Sequence, residues 1–366
     1  MTRAVWLLLV LLAMPACSKK EPVRIGFLAG TSGRVADLGV AVRNGSMLAV
    51  EQSNALGGVN GQQVELLIRD DGQDPEKARK AVRELIAEKV ELIIGPATSS
   101  MALAVLPDIR NSSTILLSPT VTTTELTGKD DNFLRVMDDT RIYARKSARY
   151  HRKLGRRQVA ILHDEGNGSY TGSWMRDFAG EFQSLGGEVA STAGFRSGYS
   201  VPFSALAREA LASKPDMVLV IANAVDAAMI CQQLRKLQPG MPLAASEWAS
   251  TQRFIELAGA AAEGAIISQF INHADRSPHF QLFANAYRDR FGAEPGFAGL
   301  AGYDAALVAL EAYRRRGTNG TSLKQTILAI GEFQGAQQSI LIDRFGDADR
   351  ATFITVVREG TYQTLE

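Results

Sequence analysis

Two stretches of the chain stop an apolar strand on proline and follow it with hydroxyl groups. The first is KVELIIGPATSS, where Gly95-Pro96 precede Thr98, Ser99 and Ser100. The second is TILLSPTVTTT, where Ser118-Pro119 precede Thr120, Thr122, Thr123 and Thr124. Hydroxyls beside a helix N-terminus offer hydrogen-bond donors and a positive dipole end, which together suit an anion such as a carboxylate. In a single loop such residues serve as helix caps and nothing more. Two neighbouring strand ends with one composition favour an anion-binding wall.

A complementary tract is Ser246-Glu247-Trp248-Ala249-Ser250, after the strand MPLAA. A carboxylate beside an indole can hold a cation, Glu247 by charge and Trp248 by its ring face. The same residues also fit a helix start, with Glu247 at the dipole end and Trp248 in the core. Catalytic readings are weaker. No G-x-S-x-G elbow surrounds Ser99, and no base is nominated for it. His163-Asp164-Glu165 ends a strand and has the residue types for acid–base work. Gly166–Gly172 (GNGSYTG) lacks the glycine spacing of a dinucleotide loop and reads as a flexible loop carrying Tyr170 towards a cleft.

Positioning these groups requires strand ends on two facing walls, and the order of elements supplies them. From Val23 the chain alternates apolar strands (VRIGFLA, VELLIRD, ELIIG, TILLS) with amphipathic helices, then repeats the pattern after Asp139 with RQVAILHD, EVAST, DMVLVIA, MPLAA and GAIISQF. Strands without polar alternation, separated by helices, belong to parallel sheets covered on both faces. The 366 residues agree with two domains on a prior of ~100–200 residues each. Two doubly wound α/β lobes follow, and in such sheets ligands bind at the carboxyl ends of the strands.

Composition narrows the function classes. A formal charge of +1, with 46% hydrophobic and 22% charged residues, leaves no basic footprint for nucleic acid. Arg3 and the apolar run Ala4–Ala13 are too short to span a bilayer and have the form of an export signal. The signal ends at Pro15-Ala16-Cys17, resembling a bacterial lipobox, which makes Cys17 the expected site of lipidation. Cys231 is then the one cysteine left, reading as a buried small hydrophobe, and the four histidines show no ligand spacing. Neither a metal nor another cofactor is expected.

Taken together, these segments resemble the type I periplasmic binding proteins of the leucine/isoleucine/valine-binding group, the substrate-binding components of branched-chain amino-acid ABC importers. The resemblance spans Val23–Glu366 and rests on IGFLAGTSG, NALGGVNGQQVELLIRDDGQDPEKA, IIGPATSS, LLSPTVTTTELT, VAILHDEGNGSYTG, AAEGAIISQF and AGYDAALVALEA, in that order. It implies a non-enzymatic fold of two lobes joined by three crossover strands, closing on a small amino-acid-like ligand by a hinge motion and presenting the closed form to membrane permease subunits. It also implies a monomer, periplasmic or at the cell surface, with a lipid anchor.

The lobes implied are 23–140 plus 271–340 and 141–270 plus 341–366, after a signal over 1–17 and a linker over 18–22. By position, Ser99 resembles the serine that binds an α-carboxylate. Thr120 and Thr122 match positions contacting carboxylate and ammonium, Tyr170 matches the tyrosine of the next loop, and Glu247 matches the acid that pairs with the ammonium. Asn223 stands where amino-acid binders often carry a tyrosine. With Trp248 it leaves aromatic acids, small amides and branched amino acids all open as ligands, and a sensory role remains open beside transport.

Overall fold

A computed structural model describes residues 21–198, 200–317 and 320–366; Cys17 and the leader lie outside them. The first lobe runs β1 (Val23–Ala29), α1 (Ala36–Ala55), β2 (Val64–Asp70), α2 (Pro75–Ala87), β3 (Leu92–Ile94), α3 (Ser99–Ile109), β4 (Ile115–Ser118) and β5 (Phe133–Arg135). The second runs α4 (Thr140–Lys153), β6 (Gln158–Asp164), α5 (Gly168–Ser184), β7 (Glu188–Phe195), α6 (Phe203–Ala212), β8 (Met217–Ile221), α7 (Ala224–Leu237), β9 (Leu243–Ala245), α8 (Gln252–Ala258) and β10 (Ile266–Gln269). The chain then supplies α9 (Pro278–Phe291), α10 (Gly296–Arg315) and α11 (Leu323–Ile330), followed by β11 (Glu332–Gln334), β12 (Ser339–Ile342), β13 (Ala348–Asp349), β14 (Phe353–Arg358) and β15 (Thr361–Thr364).

Parallel pairing builds a five-stranded sheet in the order β2-β1-β3-β4-β5. A seven-stranded sheet follows the order β15-β14-β10-β9-β8-β6-β7, in which β14 alone runs against the other strands. The pleat sends alternate residues to opposite faces, so on β6 Val159 and Ile161 join the core under α4 and α5, while Ala160 and Leu162 join the core under α6 and α7. Three crossings of the chain join the lobes, after β5, after β10 and before β14.

Two glycine-bearing helices, α1 and α10, lock together on the first sheet. A Cβ on Gly45 would lie 2.0 Å from the Gly299 carbonyl oxygen, and one on Gly302 would lie 2.1 Å from that of Val42. Ser46 uses the same proximity to donate to the Gly302 carbonyl at 2.9 Å.

The boundary anticipated at 340/341 is displaced. β12 and β13 pair with β11 in a separate three-stranded sheet. Its turn leans on the first lobe, where the Arg135 N–H donates to the Gly346 carbonyl at 3.0 Å. The chain enters the seven-stranded sheet only with β14. Antiparallel hairpin partners are local in sequence, so the FGDADR turn holds this segment together rather than handing β12 to the other lobe.

One buried arginine ties the three crossings. The Arg350 N–H donates to Asp138 Oδ2 at 3.0 Å, and its guanidinium reaches the Val136 carbonyl at 3.2 Å and Asp304 Oδ2 at 2.7 Å. It also lies over the Phe270 ring, 4.6 Å from its centroid.

Candidate functional site

The strand stop at Gly95 is a backbone requirement. Gly95 has φ +128°, a Cβ there would lie 2.0 Å from the Leu28 carbonyl oxygen, and the peptide to Pro96 is cis. The chain turns off the sheet at this point and enters α3 through Thr98. Neither hydroxyl caps the helix in the anticipated way: Thr98 occupies the N-cap position, but its hydroxyl donates to Gln73 Oε1 at 3.0 Å. The cap comes from the other lobe. Asn167 Oδ1 accepts the Ser100 N–H at 3.1 Å, and the Ser100 and Ser169 hydroxyls meet at 3.1 Å.

Ser99, Thr120, Tyr170, Glu247 and Trp248 converge on one cavity, together with Thr98, Asn167, Leu38, Met137 and Phe297. The cavity has a volume of about 20 Å³. Ser99 makes no side-chain hydrogen bond among the described residues and is buried against the cavity. Thr120 donates its hydroxyl hydrogen to the Ala97 carbonyl at 2.6 Å, so only its lone pairs face a ligand. Thr122 is buried behind it with an unpartnered Oγ1, while its carbonyl accepts the Thr140 N–H at 2.7 Å.

Glu247 opens a short 3-10 turn after β9, and its carboxylate is buried. Oε2 accepts the indole N–H of Trp174 at 2.8 Å, whereas Oε1 has no hydrogen-bond partner among the described residues. Burial pushes the Glu247 carboxyl up to about 7 from an ordinary 4.5. Its own backbone N–H and the Trp174 indole oppose that only in part. Tyr170 does not ride on a flexible loop. Residues 165–167 form a 3-10 turn and α5 begins at Gly168, so Tyr170 sits in the first helical turn, edge-on to Trp248 with ring centroids 5.6 Å apart. Glycines that suggested looseness instead let one turn run into the next.

Asn223 does not join this cavity. It caps α7 by accepting the Asp226 N–H at 3.0 Å, and its amide donates to Asp226 Oδ2 at 2.7 Å and to Ser197 Oγ at 3.2 Å. Asp226 in turn receives Arg34 from the opposite lobe at 2.6 Å. A second bond across the cleft runs from the Thr251 hydroxyl to Asp37 Oδ2 at 2.5 Å. His163 lies on β6 and lines no part of the cavity.

Trp174 and Asn167 are the polar residues that sequence reasoning passed over. Trp174 carries a readable signal, standing one helical turn after Tyr170 on an apolar face shared with Phe178 and Phe182. Asn167 carries none, because its role depends on the lobe it faces.

A buried acid facing a serine-bearing helix N-terminus across a hinged cleft defines a ligand-binding protein of two α/β lobes. The chain belongs to the periplasmic binding protein family, whose model matches residues 22–361. It is similar to the Leu/Ile/Val-binding protein BraC3 of Rhizobium johnstonii, 27% identical over 266 residues that cover 72% of this chain and 71% of that protein. It is also similar to the leucine-, isoleucine-, valine-, threonine- and alanine-binding protein of Pseudomonas aeruginosa, 21% identical over 91% of this chain and 89% of that one.

Among solved structures, the leucine-binding protein LivK of Thermotoga maritima superposes with a TM-score of 0.87 at 27% identity, covering 94% of this chain and 98% of its own. A solute-binding protein of R. palustris in complex with benzoate gives 0.86 at 19% identity, covering 94% and 95%. At that identity the likeness concerns the fold.

Proposed function

We propose that the chain is the extracytoplasmic solute-binding component of an ABC importer, taking an amino acid into the interlobe cleft by hinge closure. The observation that carries this reading is the opposition of Glu247 to Ser99 across one cavity. A zwitterion satisfies both ends: its carboxylate meets the Ser99 hydroxyl and the start of α3, while its ammonium meets Glu247 and the lone pairs of Thr120. Thr122, with a buried unpartnered hydroxyl, supports the same pole, and Tyr170 and Trp248 supply the apolar wall.

A buried carboxylate left without a cation is costly, so a simple aromatic acid such as the benzoate of the R. palustris neighbour leaves Glu247 unmatched. The names of the Rhizobium and Pseudomonas relatives point to amino acids as the ligand class. Cys17, beyond the described residues, is the proposed lipid attachment point. The protein acts as a monomer without catalysis, docking to permease subunits in its closed form.

The test is thermal-shift screening of residues 18–366 against the proteinogenic amino acids. A ligand present at 100 times its dissociation constant adds ~2.7 kcal/mol of stability. The expected result is a shift in the wild-type protein that Glu247→Ala abolishes; an undiminished shift in that variant would sink the assignment.

A further inference from the structure

Asn167 and Trp248, which line the cavity around Ser99 and Glu247, also line a second chamber of ≈ 370 Å³. The inner cavity closes tightly around its two poles, so a side chain on a ligand clasped there has its room in the outer chamber. The chamber is not an aliphatic pocket. Met101, Val35 and Trp248 form an apolar stretch of wall, but Arg34, Arg196 and Asp164 also face the space.

One acceptor of this chamber, Asp164 Oδ1, and one of its two arginines, Arg34, are already engaged. Asp164 Oδ1 takes the N–H groups of Gly166 at 2.8 Å and Ser197 at 3.0 Å, and Asp226 holds Arg34. Arg196 differs: its guanidinium makes no hydrogen bond or ion pair among the described residues, and its donors remain to be satisfied by water or by a ligand. An apolar side chain placed here would strip water from those donors and return nothing.

We infer that the outer chamber is the side-chain subsite, and that it selects an amino acid whose side chain is a short methylene stem ending in a carbonyl oxygen, a carboxylate or a carboxamide, received by Arg196. The stem lies along Trp248 and Met101. This inference rests on the amino-acid reading of the inner cavity and adds the ligand's side chain to it.

The experiment is titration calorimetry on the full chain and its Arg196→Ala variant with L-glutamate, L-glutamine, L-leucine and L-alanine. Glutamate or glutamine binds at least roughly tenfold tighter than leucine, and Arg196→Ala removes about that advantage, the worth of a hydrogen bond to a charged donor. A larger loss for glutamate than for glutamine identifies the carboxylate; equal losses identify the carboxamide. Alanine, too short to reach the chamber, binds both proteins equally, which also reports that the variant is folded. Leucine binding tightest, with no change in the variant, overturns the subsite while leaving the amino-acid reading intact. Binding of none of the four overturns the subsite, and the wider amino-acid screen then decides the reading of the inner cavity.

Discussion

Trp174 donates its indole N–H to Glu247 Oε2 at 2.8 Å, with both side chains buried. That bond fixes one oxygen of the carboxylate and leaves Oε1 unpartnered among the described residues. Trp174 is itself held by stacking on Phe178, with ring centroids 5.7 Å apart. The acid that defines the site is therefore oriented from beneath by the core of the second lobe.

Trp174→Phe keeps the stack and deletes the donor. A hydrogen bond to a charged group is worth about 1.5–3 kcal/mol, so affinity for an ammonium-bearing ligand falls roughly tenfold or more. Calorimetry at neutral pH reads the loss, and circular dichroism shows an unchanged fold.

Glu247 gives stability a pH dependence of known sign. Burial raises its folded pKa to about 7 from 4.5, so between those values the folded state holds a proton that the unfolded state releases. Its contribution to stability is present below pH 4.5 and is lost as pH rises through about 7. Asp138, raised to about 7 chiefly by burial, and Asp71, raised to about 6 by burial, act in the same direction. The Glu247 share is therefore the wild-type slope minus that of Glu247→Gln, read from melting temperatures across pH 4–8. Ligand affinity runs oppositely: an ammonium prefers the ionised acid and binds more weakly below pH 7.

Arg350 pins the three crossings with both it and Asp304 fully buried. Removing one partner of a buried pair costs about 3–5 kcal/mol, so Arg350→Leu lowers the urea midpoint sharply. Arg350→Leu with Asp304→Leu recovers part of the loss. Recovery is incomplete because Asp304 Oδ1 also accepts the Ala336 N–H at 2.7 Å.

Gly45→Ala separates helix propensity from packing. Propensity alone favours alanine in mid-helix by about 1 kcal/mol, yet a Cβ there would sit 2.0 Å from the Gly299 carbonyl oxygen. Forcing α1 and α10 apart costs more than the gain, with a net loss of roughly 1–3 kcal/mol. Thermal denaturation shows a lower midpoint, whereas Gly180→Ala, with open space at its Cβ, raises it.

Much of this molecule is legible along the chain. β2 at Val64–Asp70 coincides with its sequence reading, and α2 opens on Asp74-Pro75, because apolar runs and a capping residue before proline are local signals. β5, β11, β13 and β15 are missed, being no longer than four residues and held by partners rather than by pattern. The GNGSYTG segment misleads because glycines count against a helix until packing on Thr123 and Trp248 supplies the missing stability; Thr123 donates to the Ser169 carbonyl there at 2.9 Å.

The IIGPATSS and LLSPTVTTT loops and Glu247 are recognisable in sequence because strand stops, hydroxyls and an acid are properties of residue type and order. Which of them meet is not such a property. Tertiary structure brought Glu247 under Trp174, set Asn167 on the start of α3, and turned Asn223 away to cap α7 beside Arg34. Those outcomes depend on how two separately folded sheets face each other across a hinge. Contacts between residues so far apart in the chain are decided by the packing of the lobes, on which local pattern is silent.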